Sequence, residues 1–324
     1  MKYVLSKPLC IHELGQRANQ EDSRYPVASS LTDSQRFFIL CDGMGGHESG
    51  EVASSTVCDS MGGYLTRHLA AGEPFSNQMF ENALSAAYTG LDSKDQPDSV
   101  KKMGTTMTFL MFHDSGVTAA HMGDSRIYQF RPGMGEPLYK SRDHSLVNDL
   151  IMLGELTQEE ARNSRNKNVI TRAMQPGIDN RAKADITLLT DVKPGDWFYM
   201  CSDGMLEQMD DTELCSILTG SSLTAEQKRD LLISKTSGNR DNHTAFIIQV
   251  LDVTEDSVEV SVFDTEPENS VEREPEISDD SEPGVPDGTE PYSMSSESSG
   301  FPKWLYPVFV VLVGAVVFYL WKSH

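Results

Sequence analysis

Apolar runs and turn signals alternate through residues 1–252, and five runs rich in β-branched and aromatic residues read as strands: Phe37–Cys41, Thr105–Phe112, Gly116–Phe130, Trp197–Cys201 and Thr244–Val253. Two stretches carry apolar residues at helical spacing. In Glu51–Leu69, Val57, Met61, Leu65 and Leu69 recur every four residues, and a second helix is expected over Ser76–Leu91. Further helices should begin at Thr157 and Thr224, because each is followed three residues later by a capping partner, Glu160 and Gln227. Strands come in long successive pairs and do not alternate regularly with helices. That pattern predicts an α+β fold with antiparallel sheets, not a doubly wound parallel sheet.

The pattern breaks after residue 252. Residues 253–303 are rich in Glu, Asp, Ser and Pro, with few large apolar side chains. Such a segment buries too little apolar surface to offset chain entropy, so a disordered acidic linker is expected. Residues 304–321 are 18 uncharged, mostly apolar residues bracketed by Lys303 and Lys322, with Trp304, Tyr306, Tyr319 and Trp321 near the ends. At about 1.5 Å per residue a helix of this length just crosses a bilayer core, and the aromatic ends suit the two interfaces. The expected organisation is a folded domain over 1–252, a linker over 253–303 and a transmembrane helix over 304–321.

Charge sharpens this division. The chain holds 49 acidic and 27 basic residues, a formal net charge of −22. Residues 253–300 alone carry 15 acids against one base, Arg273. So acidic a chain repels phosphate backbones, and no nucleic-acid partner is expected. Five cysteines, Cys10, Cys41, Cys58, Cys201 and Cys215, contain no CxxC pair, and most sit among apolar residues. A disulfide framework or zinc site is not expected, and a reducing compartment fits. The first ten residues hold no long apolar run. The expectation is therefore a single-pass membrane protein with its folded domain in the cytoplasm.

The acids of the first region cluster where apolar strands end. "FFILCDGMGGH" places Asp42 and Gly43 after a strand, and "WFYMCSDGM" repeats the arrangement with Asp203 and Gly204. Asp124 follows Gly123 in a bend, Asp241 stands just before the last strand, and Glu21 and Asp22 lie together near the start. A turn explains any single Asp-Gly. The set is harder to explain, because carboxylates at strand ends are costly to desolvate unless paired, and nearby bases are few, chiefly Arg17, Arg126 and Arg240. A divalent cation meets the need. Oxygen-only ligands without a D-x-D-x-D-G run point to Mg²⁺ or Mn²⁺ rather than Zn²⁺ or Ca²⁺.

The motifs "RANQEDS", "DGMGGHESGEVAS", "GTT", "GDSRIY", "DHS", "NVITRAM", "SDGM" and "RDNHT" occur in this order over residues 8–252. In order and spacing the chain resembles the metal-dependent type 2C protein serine/threonine phosphatases, most closely the compact bacterial type. The resemblance implies a sandwich of two antiparallel β-sheets flanked by α-helices, with two metal ions at one end. It implies that Asp42 bridges both ions, that the Gly43 carbonyl and Glu21 serve one, and that Asp203 and Asp241 serve the other. Asp22 would support these ligands from behind, and Asp124 with Asp203 would hold a third, weaker ion. Arg17 would grip the substrate phosphate and His47 would act as general acid. Thr105 and Thr106 read as strand packing. The partners implied are phosphoproteins. With the membrane helix, they extend to a membrane-bound serine/threonine kinase and its targets.

Three other readings compete with this one: a catalytically dead binding module, a hydrolase of small phosphate esters, and a receptor whose tail is a signalling stalk. A catalytically dead binding module would have lost a metal ligand, and Asp42, Asp203 and Asp241 are all present. A hydrolase of small phosphate esters would use the same residues. Residues 146–168 match the mobile flap of the family but depart from it. Asn163 and Ser164 stand near the usual His-Pro, and Gln175 replaces the usual glycine after "ITRA-x".

Overall fold

The computed structural model describes residues 1–45, 48–95 and 102–254, apart from the side chains of Glu48 and Arg162. The chain divides into two units, Met1–Val260 and Ser261–His324, and every described residue belongs to the first. The expected linker beyond Thr254, the expected membrane helix over 304–321 and His47 lie outside the described residues. Among the described residues no helix is long and apolar enough to cross a membrane.

Twelve strands and six helices are described, in the order β1 (Lys2–Leu5), β2 (Leu9–Glu13), β3 (Asp22–Tyr25), β4 (Phe37–Met44), α1 (Glu48–Ala70), α2 (Asn77–Asp92), β5 (Gly104–Thr105), β6 (Met107–His113), β7 (Gly116–Met122), β8 (Arg126–Phe130), β9 (Tyr139–Lys140), α3 (Leu146–Met152), α4 (Gln158–Asn163), β10 (Asp185–Leu189), β11 (Trp197–Cys201), α5 (Asp211–Thr219), α6 (Ala225–Thr236) and β12 (His243–Thr254). One sheet runs β1-β12-β11-β8-β9, with β2 on the same edge of β12 as β1; the other runs β10-β7-β6-β4-β3, with β5 on β4. All pairings within both sheets are antiparallel, which bears out the α+β expectation.

Strand alternation builds the layers. In β4, Phe38 and Leu40 face the space between the sheets, while Phe37, Ile39 and Cys41 face α1 and α2. In β11, Phe198 and Met200 face the same inter-sheet space, while Trp197, Tyr199 and Cys201 face α5 and α6. Both faces of each sheet are therefore covered, which is why these strands read as continuous apolar runs and not as alternating ones. Each large side chain buried in this way stabilises the fold by about 1.5–3 kcal/mol. The result is an αββα sandwich.

The helix ends follow the sequence. Ser76 caps α2 by accepting from the Met79 amide, and the boxes Thr157/Glu160 and Thr224/Gln227 both form. Helix α6 buries a lysine, which the pattern alone would not allow. Lys228 Nζ lies 4.0 Å from the Trp197 ring centroid and donates to the Leu218 carbonyl at 2.6 Å, so the ring face and the carbonyl replace water around the ammonium. Two expected strands are interrupted. Thr106 separates β5 from β6, and Gly123–Ser125 form the bend between β7 and β8.

Candidate active site at one end of the sandwich

The same alternation that packs the interior delivers acids to its end. Asp42 follows Phe38 and Leu40 on the inter-sheet side of β4, and β3 pairs with β4 so that Asp22 stands directly opposite Asp42. From the other sheet, Ser202 follows Phe198 and Met200, and its Oγ donates to Asp22 Oδ2 at 2.7 Å across the sandwich. Ser202 Oγ also accepts from the Thr244 amide at 3.0 Å, which ties the start of β12 into the same point.

The backbone around Asp42 is held on both sides. The Asp42 amide donates to Thr106 Oγ1 at 2.9 Å, and the Asp42 carbonyl accepts from the Thr106 amide and from Thr105 Oγ1, each at 2.9 Å. Thr105 and Thr106 are fully buried, and their task is to fix Asp42, which strand packing alone does not describe. The Gly43 amide donates to the Glu21 carbonyl at 3.0 Å. A Cβ on Gly43 would lie 2.1 Å from the Gly50 carbonyl oxygen and 2.6 Å from that of Glu21, so only glycine lets the first turn of α1 approach β4 here.

Asp241 is set by the turn before β12. Glu207 accepts from the Arg240 and Asp241 amides at 2.9 and 3.1 Å. The next residue, Asn242, is buried and clamps three segments: its Oδ1 accepts from the Glu21 amide at 2.7 Å, and its Nδ2 donates to the carbonyls of Leu14 and Asn19 at 2.8 and 3.1 Å. Asn239 Nδ2 donates to the Gly204 carbonyl at 2.6 Å and steadies the turn that carries Asp203. Sequence reading missed Ser202, Glu207, Asn239 and Asn242. The one signal for them is their position beside the acidic motifs.

The acids act on one another. Desolvation, then repulsion from Asp22, Asp203, Asp124 and Asp241, pushes the Asp42 carboxyl well above the ordinary range. Desolvation raises Asp22 to about 7, with repulsion from Asp203 and Asp241 adding to it and the Ser202 hydroxyl opposing it. Desolvation also raises Asp124 to about 7, with Asp203 next in weight. Asp203 is raised by desolvation and by Asp241, partly offset by contact with the Asp42 carboxyl. Arg17, half-exposed, donates to Asp241 Oδ2 at 2.6 Å, and feels Glu21 and Asp42 as well. Arg126 acts on the cluster only through its charge, which partly offsets the rise in Asp124. Its guanidinium forks onto Asp143, with both bonds at 2.7 Å.

Arg17 at the rim and the more distant charge of Arg126 do not balance these acids. Asp22 Oδ1, Asp124 Oδ1 and Asp203 Oδ1 are buried without a hydrogen-bond partner. Buried carboxylate oxygens without partners are costly unless a cation meets them, and an all-oxygen donor set suits Mg²⁺ or Mn²⁺. The residues present fit such ions. Asp22, Asp42, Asp124, Asp203, Asp241, Glu21 and Arg17 are thus brought to one end of the sandwich, while the place of His47 lies outside the described residues.

Comparison with known proteins gives the family and the fold. The family model described as Protein phosphatase 2C matches residues 14–235. The serine/threonine phosphatase stp of Listeria monocytogenes is 30% identical over 221 residues, which cover 67% of this chain and 85% of that protein. The crystal structure of the Mycobacterium tuberculosis serine/threonine phosphatase PstP/Ppp superposes with a TM-score of 0.63 at 28% identity, covering 76% of this chain and 99% of the other. The catalytic domain of PstP in complex with two manganese ions superposes with a TM-score of 0.61 at 28% identity, covering 78% of this chain and all of the other.

Proposed function

The chain belongs to the protein phosphatase 2C family, and on that footing we propose that it hydrolyses phosphoserine and phosphothreonine monoesters in proteins, using Mg²⁺ or Mn²⁺ held at the acidic end of the sandwich. The observation that carries the reading is that Asp22, Asp124 and Asp203 each bury an unpartnered carboxylate oxygen and that all three repel Asp42. When bound, two such ions lower the pKa of water and offset phosphate charge. Asp42 would be shared between them, with the Gly43 carbonyl and Glu21 on one side and Asp203 and Asp241 on the other. Asp22, fixed by Ser202, would keep the Asp42 carboxylate in place. Asp124 and Asp203 would hold a third, weaker ion.

Arg17 is the chain's own phosphate ligand in this reading. It sits at the open rim, and a guanidinium can bind two phosphate oxygens as a fork once it leaves Asp241. The leaving serine or threonine alkoxide is strongly basic and needs a proton, which His47 would supply. The test is hydrolysis of a phosphothreonine peptide by the full chain. Chelator should abolish turnover, Mn²⁺ should restore it, and Asp42→Asn should stay inactive in Mn²⁺. Full turnover in chelator with no retained metal by elemental analysis would refute the reading. Faster turnover on small phosphate esters than on the peptide would move the substrate class away from proteins.

The same proposal includes a tether. The acidic composition of 253–303 and the apolar run 304–321 support a flexible linker that carries the folded domain, over 1–252, on a single-pass membrane anchor on the cytoplasmic side. A 51-residue flexible chain spans about 40 Å, and its negative charge extends it and holds it off an anionic bilayer. Substrates in the same membrane, such as a membrane-bound serine/threonine kinase and its targets, would meet the enzyme at raised effective concentration. A chain ending at Thr254 should keep its turnover on free peptide and act more slowly on membrane-bound phosphoproteins in cells. Equal rates on those targets would refute this role for the tether.

A further inference from the structure

Next to the carboxylate cluster lies a second group of titratable side chains, His121, His144 and Asp185. One ligand atom of each lies within 4.8 Å of the others, the spacing of a cation site. The hydrogen bonds oppose that assignment. The Gly123 amide donates to His144 Nδ1 at 3.1 Å, so Nδ1 carries a lone pair and, in the neutral ring, Nε2 carries the proton. That Nε2 lies 3.1 Å from Asp185 Oδ2, off the line of a good hydrogen bond. A cation on Nε2 would force the proton onto Nδ1, against the Gly123 N–H. The two imidazoles are also stacked, parallel to within 1° with centroids 4.6 Å apart, so a shared ion would sit out of plane of at least one ring.

The group makes better sense as a clamp. His144 is buried, and its own amide donates to the Gly123 carbonyl at 2.9 Å, so it holds Gly123 by both the carbonyl and the amide. Gly123 has a φ of 103°, and a Cβ there would lie 2.5 Å from Thr106 Cγ2, so the bend is seated directly on the threonine that fixes Asp42. Asp124 follows immediately, and its buried Oδ1 has no partner to aim it. The backbone held by His144 is what directs that carboxylate. The His144 carbonyl in turn accepts from the Thr171 amide at 2.9 Å, and Arg172 holds the other oxygen of Asp185. Burial keeps the His144 pKa below its ordinary value, so Nδ1 stays an acceptor at neutral pH.

We propose that His144 is a positioning residue for Asp124, setting the affinity of the weak cation site that Asp124 forms with Asp203. The inference rests on the reading, given above, that these two aspartates hold a third ion. The test is Mn²⁺ binding to the full chain, followed by calorimetry and by the electron paramagnetic resonance of free Mn²⁺. His144→Asn places an oxygen where Nδ1 stood and keeps an acceptor for Gly123. His144→Gln reaches toward Asp185 and leaves the Gly123 amide without one.

The expected result is that Asp124→Asn loses the weak site and that His144→Gln weakens it by about 10-fold or more, the usual effect of removing a group that orients a ligand. His144→Asn should stay within about 3-fold of wild type, on the same scale. Equal losses in the two His144 variants, or none in either, would overturn the inference. If Asp124→Asn kept the weak site, the third-ion reading would fall with it. If Asp124→Asn lost the site and His144→Gln did not, only the His144 inference would fall. The wild-type protein gives a readout independent of variant folding: imidazole ¹⁵N shifts must show His144 protonated at Nε2, and a proton at Nδ1 would overturn the clamp.

Discussion

Asp22→Asn should stabilise the protein in chelator at pH 8 and fail to do so at pH 5. Asp22 is 3% exposed, faces Asp42, and is raised from 3.8 to about 7, first by desolvation and then by repulsion from Asp203 and Asp241. A carboxyl whose folded pKa is raised contributes stability fully below its unfolded pKa and loses it as pH rises through the folded value. The window is therefore pH 3.8 to about 7. A displacement of about 3 on the pH scale corresponds to about 4 kcal/mol, which the wild-type protein has lost by pH 8 when no cation is bound. The amide carries no charge and can still accept from Ser202 Oγ, but its NH₂, placed where Oδ1 has no partner, is a buried unsatisfied donor that costs about 1–3 kcal/mol. The net expectation is a gain of about 1–3 kcal/mol at pH 8 in chelator, from the difference of those two terms. At pH 5, where Asp22 is mostly protonated, the gain should vanish or change sign. Urea unfolding at both pH values, with and without Mn²⁺, measures this. In Mn²⁺ the wild-type protein should gain more stability than the variant. A variant less stable than wild type by the same amount at pH 5 and pH 8 in chelator would refute the electrostatic account of the cluster.

Arg17→Ala should raise KM for a phosphopeptide about 10-fold with a smaller change in kcat, since it removes a phosphate ligand and not a group required for bond cleavage. Its stability should change by less than about 1 kcal/mol, because the Arg17–Asp241 pair is half-exposed. Asn242→Ala removes three hydrogen bonds that join Glu21, Leu14 and Asn19, and should cost about 2–4 kcal/mol by urea unfolding. Gly43→Ala drives a Cβ onto the Gly50 carbonyl, a backbone clash that a rotamer change cannot relieve. It should cost about 3 kcal/mol and abolish phosphatase activity even in saturating Mn²⁺, with unfolding midpoints and turnover as the two readouts.

The sequence by itself determined the elements whose cause is local. Phe37–Cys41 and Trp197–Cys201 are apolar on both faces and could only be covered strands, and Ser76, Thr157 and Thr224 announce their helices through side chains that bond within the same turn. It also marked Asp42 and Asp203, because an acid directly after a buried strand is conspicuous. It could not show β3, whose Asp22–Tyr25 carries no apolar run and is a strand only because β4 lies beside it. Nor could it show β10, an edge strand with Ile186 and Leu188 exposed. The clamps were equally hidden: Ser202 meets Asp22 across 180 residues of chain, Asn242 meets Glu21 across 221, and Thr106 meets Asp42 across 64. Local pattern records which way a side chain points and whether water or protein covers it. Which groups then face each other depends on strand register and sheet stacking, and these are decided by packing between segments far apart in the chain.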